Sequence, residues 1–198
     1  MFYGFWGRCF NSYRDTPPHE GYSIIRRWRD ERFAGTATAT KLAAHHEGAG
    51  ESSFFSFTSN VDAHHLKHFP AAEVRECHGN SETWQCCDSS CPRGAYGARA
   101  SGAGSGRWPA PRGFRFDIND ESELALPGPP AQPVQAAASS IGVQCFHGKN
   151  HPTCPTCGKP ARPAILMFCD ADFKDDDDQE DRWCVPWLLF HRSTTLEG

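Results

Sequence analysis

The sequence predicts an α/β chain with a small four-cysteine metal lobe inserted into it, and three observations carry that expectation. An amphipathic helical pattern opens at Thr16. Short apolar runs at Ser52–Phe57, Glu73–Cys77 and Ala164–Phe168 have the length of strands. Two cysteine groups, Cys86 or Cys87 with Cys91 and Cys154 with Cys157, have the spacing of metal knuckles.

The helix is read from Thr16 as N-cap and Pro17 at the first helical position, with Tyr22, Ile25 and Trp28 on one face, and it runs to about Arg32. Ser52–Phe57 follows the Gly48-Ala-Gly50 turn and ends at the polar Thr58-Ser-Asn60, as suits a buried strand that delivers a functional loop. Glu73–Cys77 is a weaker strand. From Pro92 to Gly113, nine of 22 residues are Gly or Pro, and Pro127–Ser139 adds four prolines. These stretches cannot bury enough apolar area to offset their ordering entropy, so flexible insertions are expected over about 92–150, with order returning at His151. Ala164–Phe168 is the best strand candidate. Asp175–Phe190 starts as a helix that Pro186 should stop.

Composition bounds the function. The 198 residues allow one ordinary domain with a small appendage, and the 38% hydrophobic share together with 18 Gly and 15 Pro implies a loop-rich chain. The longest apolar run is the six residues from Ala164 to Cys169, and Met1–Trp6 is too short and uncharged for a secretory signal. The expected setting is therefore intracellular, cytoplasmic or nuclear, with no membrane partner. A formal charge of -4 disfavours direct nucleic-acid binding. Ten cysteines without an export signal point to metal rather than disulfides.

In Cys154-Pro-Thr-Cys157-Gly158 two thiolates on a tight turn can grip one zinc ion, and Cys91 with Cys86 or Cys87 supplies the other half of a tetrahedron. Zinc is favoured over a redox pair because Pro152, Pro155 and Pro160 surround the knuckle, where a redox pair needs a strand before it and a helix after it. The 62 residues between Cys91 and Cys154 contain the expected insertion. Gly48-Ala-Gly50 and Gly102–Gly106 resemble phosphate cradles only in composition, since neither follows a strand and opens a helix. Asp170–Asp181 carries eight carboxylates and one lysine and reads as a solvated helix start. Among ten histidines, His78 stands apart. It lies before Gly79 where a strand ends, and its imidazole suits a general base near neutral pH.

Taken in order, Thr58-Ser59-Asn60-Val61-Asp62, Glu76-Cys77-His78-Gly79, Cys86 with Cys91, Cys154-Pro-Thr-Cys157-Gly158 and Arg162-Pro163-Ala-Ile-Leu-Met-Phe168 resemble the motifs of the sirtuins, NAD-dependent protein-lysine deacylases. The resemblance spans about residues 13–190 apart from the insertions. It implies a Rossmann-like large lobe over 1–76 and 164–198, incomplete at both ends, with a zinc lobe over 77–163. It also implies that NAD is held by Thr58, Ser59, Asn60 and Asp62. His78 would be the base that deprotonates a ribose hydroxyl as the acyl group passes from lysine to ADP-ribose, and Phe168, Cys169 and Asp170 would form a strand edge against the acyl-lysine peptide. Cys169 and Asp170 stand where the family has Gly and Glu, and the family's pyrophosphate-binding Gly-Ala-Gly-x-Ser segment has no counterpart in this sequence. Weak NAD binding is therefore expected, with a catalytically inactive zinc-bearing interaction module as the alternative.

Overall fold

The computed structural model describes residues 1–35, 53–91, 106–128, 141–176 and Gln179. The chain divides into two compact units, Met1–Pro17 with His78–Lys174, and Pro18–Cys77 with Asp175–Gly198. The metal lobe was expected to begin at residue 77, one position from this boundary, but the first unit also takes in the N-terminal residues and the segment after residue 163.

The first unit opens with helix α1 (Phe2–Asp15), which sequence patterning did not reveal. Its hydrophobic positions are aromatic and unevenly spaced, and Phe2 and Phe5 remain exposed. What docks α1 is a single buried ring, Phe10, aided by Gly4, where an added Cβ would sit 2.2 Å from the Glu123 carbonyl oxygen. The helix ends at Thr16. Thr16 and Pro17 were expected to open the next helix, but Pro17 disfavours helical φ/ψ at Thr16 and Pro18 does the same at residue 17, so Thr16 adopts an extended conformation and caps the end of α1.

The sheet of this unit is antiparallel, in the order β4-β3-β5, with β3 at Gly79–Cys86, β4 at Arg107–Pro109 and β5 at Ala161–Ile165. A bulge between Asn80 and Trp84 interrupts the β3–β5 register, and the Asn80 side chain stabilises it by accepting the N–H groups of Glu82 and Thr83. Trp84 is thereby turned into the core. There it meets Phe10, Phe116 and Phe146, and Phe114 packs edge-on against both Phe116 and Phe146. Each aromatic pair contributes about 0.5–1.5 kcal/mol beyond its buried area.

These rings explain why part of the expected insertion is ordered. Residues 106–128 and 141–150 have Gly/Pro-rich composition, yet Trp108, Phe114, Phe116 and Phe146 are buried, and Ile141–Phe146 forms a short helix. A few large anchors outweigh composition. Residues 92–105 and 129–140, including most of the Gly102–Gly106 run, lie outside the described residues, as does Gly48–Gly50. Arg14 fastens α1 to this layer. It forms a two-point ion pair with Glu82, donates to the carbonyls of Pro111, Arg112 and Phe114, and covers the Phe10 ring.

In the second unit, helix α2 (Glu20–Trp28) starts with His19 as N-cap, its Nδ1 accepting the Gly21 N–H, and continues as a π-helical turn over Arg29–Phe33. The expected end near Arg32 falls within this turn. Strands β1 (Ser56–Thr58) and β2 (Val74–Glu76) pair in parallel. Helix α3 (His64–His68) lies between them in sequence, and Tyr22, Phe69 and Val74 form a small core with Ile25, Phe54 and Leu66 around it. The unit is also held by charge. Arg29 grips the buried Glu73 at 2.6 and 2.7 Å, and Arg75 grips Asp175 at 2.7 and 2.5 Å. Part of the acidic stretch thus serves as ion-pair partners. Asp177, Asp178, Glu180, Asp181 and the expected helix to Phe190 lie outside the described residues.

Candidate metal centre

The end of β3 and the loop before β5 build the candidate metal centre. Pairing of Cys86 with Ala161 across the sheet lays the two knuckles side by side, so the 62-residue separation in sequence disappears in space. The sulfur atoms of Cys86, Cys91, Cys154 and Cys157 all lie within 4.8 Å of one another. Cys86 and Cys157 are 3.5 Å apart, and Cys91 and Cys154 are 3.9 Å apart. These separations are far too long for disulfides, which need about 2.05 Å. They bracket the separation of roughly 3.8 Å that follows for sulfurs placed tetrahedrally at a Zn–S distance of about 2.3 Å. The donor set and spacing fit zinc.

The choice between Cys86 and Cys87 is settled by strand parity. Cys86 shares a face with the buried Trp84 and points toward the other thiols, whereas the Cys87 N–H leaves the strand to donate to the Pro160 carbonyl and ties one knuckle to the other. Within the second knuckle, the Cys154 N–H donates to the Lys159 carbonyl and the Gly158 N–H to the Cys154 carbonyl. Burial works to raise the pKa of Cys154, but hydrogen bonds from the N–H groups of Cys157 and Thr156 and from the Cys157 and Cys91 thiols together hold that thiol below its ordinary value. Burial pushes the Cys86 thiol far up. A cation bound among the four sulfurs would favour their thiolate forms.

An ion pair bridges the knuckles. Lys159 reaches Asp88 at 2.5 Å and, with the Ser90 hydroxyl and N–H, holds the Asp88 carboxyl down at about 2. Sequence reading missed this pair, although a carboxylate between two ligand cysteines and a lysine just after the second knuckle are visible as opposite charges. Nothing in the sequence pointed to the Tyr3 hydroxyl, which lies 3.0 Å from the Pro152 carbonyl oxygen and 2.7 Å from that of Ala161.

The other candidate residues fall on both units. Thr58 closes β1 and its hydroxyl accepts the Asn60 N–H. Ser59 and Asn60 are exposed, and the Asp62 carboxylate accepts the His64 N–H, starting α3. This loop leaves the carboxyl end of a parallel strand, the end at which open α/β sheets bind ligands. His78 belongs to the first unit; it is exposed, and its carbonyl accepts the Leu166 N–H.

The expected strand edge at Phe168–Asp170 is corrected. β5 ends at Ile165, and Phe168 to Asp170 form a turn in which Cys169 is left-handed at φ 57°. The cause is Asp170. Its carboxylate takes both guanidinium nitrogens of Arg162 at 2.6 and 2.8 Å and also accepts the Met167 N–H, so the chain folds back on itself. Phe168 projects fully into solvent.

Compared with known proteins, the chain matches no family model, no curated protein and no solved structure. Among the described residues, no helix is long and apolar enough to cross a membrane.

Proposed function

We propose that the chain is a sirtuin-type, NAD-dependent protein-lysine deacylase whose fold is braced by a structural zinc ion. The observation that carries this reading is the convergence of Cys86, Cys91, Cys154 and Cys157, the same four positions that the ordered motifs of the sirtuin resemblance assign to zinc. Four thiolates leave no open coordination position, so zinc would act as a brace and not as a Lewis acid.

NAD, when bound, supplies the electrophilic anomeric carbon that receives the acyl-lysine oxygen. On this reading Asn60 and Asp62, with Thr58 and Ser59, hold the nicotinamide and its ribose. The exposed imidazole of His78 takes a ribose hydroxyl proton, acting as the general base. The projecting Phe168 ring contacts the acyl-lysine peptide, while Asp170, engaged by Arg162, shapes the turn that presents it.

The test combines metal analysis, calorimetric titration with NAD and nicotinamide release on an acetyl-lysine peptide. Peptide-dependent release should fall by roughly two to four orders of magnitude in His78→Ala with zinc content unchanged. Equal release in the variant removes His78 from the mechanism. Zinc at one per chain with no NAD binding favours the interaction-module reading instead.

A further inference from the structure

We infer that Tyr3 is a positioning residue for the metal centre, coupling the docking of α1 to metal affinity; this rests on the four-thiolate reading above. The second knuckle is a hairpin whose two ends are Pro152 and Ala161, joined by a hydrogen bond from the Ala161 N–H to the Pro152 carbonyl. Cys154 and Cys157 lie inside that hairpin, and Ala161 pairs with Cys86 on β3. The Tyr3 hydroxyl sits between the carbonyls of the two ends, at 3.0 and 2.7 Å, and its one proton is shared between them. One group from the N-terminal helix thus fixes the width of the hairpin that carries two ligands and its alignment with the strand that carries a third.

The surroundings hold the hydroxyl in place. The Tyr3 ring stacks on His151 at 4.8 Å between centroids and faces Trp84 and Phe116 at 6.5 Å. His151, next in sequence to Pro152, is itself held by a 2.6 Å contact between Nε2 and the Ala125 carbonyl oxygen. Burial drives the phenol pKa well above its ordinary range, so the group is a permanent donor. Groups that orient a metal's ligands from outside the coordination shell commonly alter metal affinity ten- to a hundredfold. By reciprocity, zinc that binds a frame held by α1 must also stabilise α1 on that frame.

The experiment compares wild type, Tyr3→Phe and Asn11→Ala by competition for zinc against a chromophoric chelator, with Co²⁺ absorption as a signature of the thiolate site. Tyr3→Phe keeps the ring and removes only the hydroxyl. Asn11→Ala removes a different fastening of α1, the side-chain bonds to the Phe116 N–H and carbonyl, away from the knuckle. The expected result is a zinc affinity about tenfold lower in Tyr3→Phe, a tetrahedral Co²⁺ spectrum in both variants, and an Asn11→Ala affinity within about twofold of wild type. In the wild-type protein, zinc should slow amide exchange in α1. An unchanged affinity in Tyr3→Phe, an equal loss in Asn11→Ala, or α1 exchange indifferent to zinc would each overturn the inference. Wild-type protein that binds no zinc would overturn the metal reading beneath it.

Discussion

Gly79 shows how one position can carry two meanings. In sequence it completes a His-Gly pair and reads as the partner of a catalytic base, but in the structure it opens β3 at φ +69°, with space for no side chain. A Cβ there would lie 1.8 Å from the Ala164 carbonyl oxygen, a rigid backbone atom that cannot move aside. Gly79→Ala should therefore cost about 3 kcal/mol, combining overpacking with a left-handed backbone. Urea denaturation of the zinc-loaded protein checks this, and a loss under 1 kcal/mol would show that β5 can shift. The glycine was legible in the sequence; the reason for it was not, because Ala164 is 85 residues away. Cys86 against Cys87 is a similar case, since parity decides it only once Trp84 is known to face the core.

At the scale of elements, α3 and α2 meet through imidazoles. Tyr22 lies with its ring centroid 5.1 Å from those of His65 and His68 and 4.9 Å from that of His19, and the His65 ring bonds the Ser56 hydroxyl at 2.7 Å. Burial is the main cause that lowers the pKa of both His65 and His68 below 6.5. For His65 the neighbouring imidazoles of His64 and His68 add to it, opposed by Asp62; for His68 the charges of Arg26, His64 and Lys67 add to it. The folded state thus binds protons more weakly than the unfolded chain. Stability is full above pH 6.5 and declines as the pH drops below it, where the unfolded state gains protons first. Chemical denaturation followed by signals of the second unit should show a lower midpoint at pH 5.5 than at pH 7.5, and His68→Phe should flatten the difference. A midpoint that does not move with pH would mean that these rings stay solvated. Element types were read where periodicity was long, as in α2, or where a short apolar run had polar borders, as near β1 and β2. α1 and β3 were missed because their partners are distant in sequence: α1 is held by rings and carbonyls from residues 82–161, and the eight residues of β3 include Asn80, Ser81 and Gln85, polar groups buried by tertiary contacts.

For the whole molecule, the two units rest on different physics. The first combines an aromatic core with a four-cysteine cluster whose geometry fits a metal ion, and the second, among the described residues, has a small core with guanidinium–carboxylate clasps at Arg29–Glu73 and Arg75–Asp175. Chelation should therefore act unequally. With zinc stripped by a strong chelator under reducing conditions, thermal unfolding should split into two steps, the probes of the first unit shifting down by 10 °C or more, since bound metal contributes folding free energy directly. Glu73→Gln should lower only the other step, because it removes the two-point carboxylate partner of the half-buried Arg29 and leaves that guanidinium only the exposed Asp30, a loss of about 1.5–3 kcal/mol. Differential scanning calorimetry with and without chelator distinguishes the cases, and a single transition that ignores chelator would count against a structural metal.

The edge of the sheet carries one more consequence. Because the Leu166 N–H turns inward to His78, residues 161, 163 and 165 of β5 face away from β3. On that outer row the Ala161 N–H is already taken by Pro152, and Pro163 has no N–H to give. The border that would invite another chain to add a strand is thus almost stripped of donors. The Arg162-Pro163 pair thereby also limits the addition of strands at this edge, in a chain that exposes Phe2, Phe5 and Phe168.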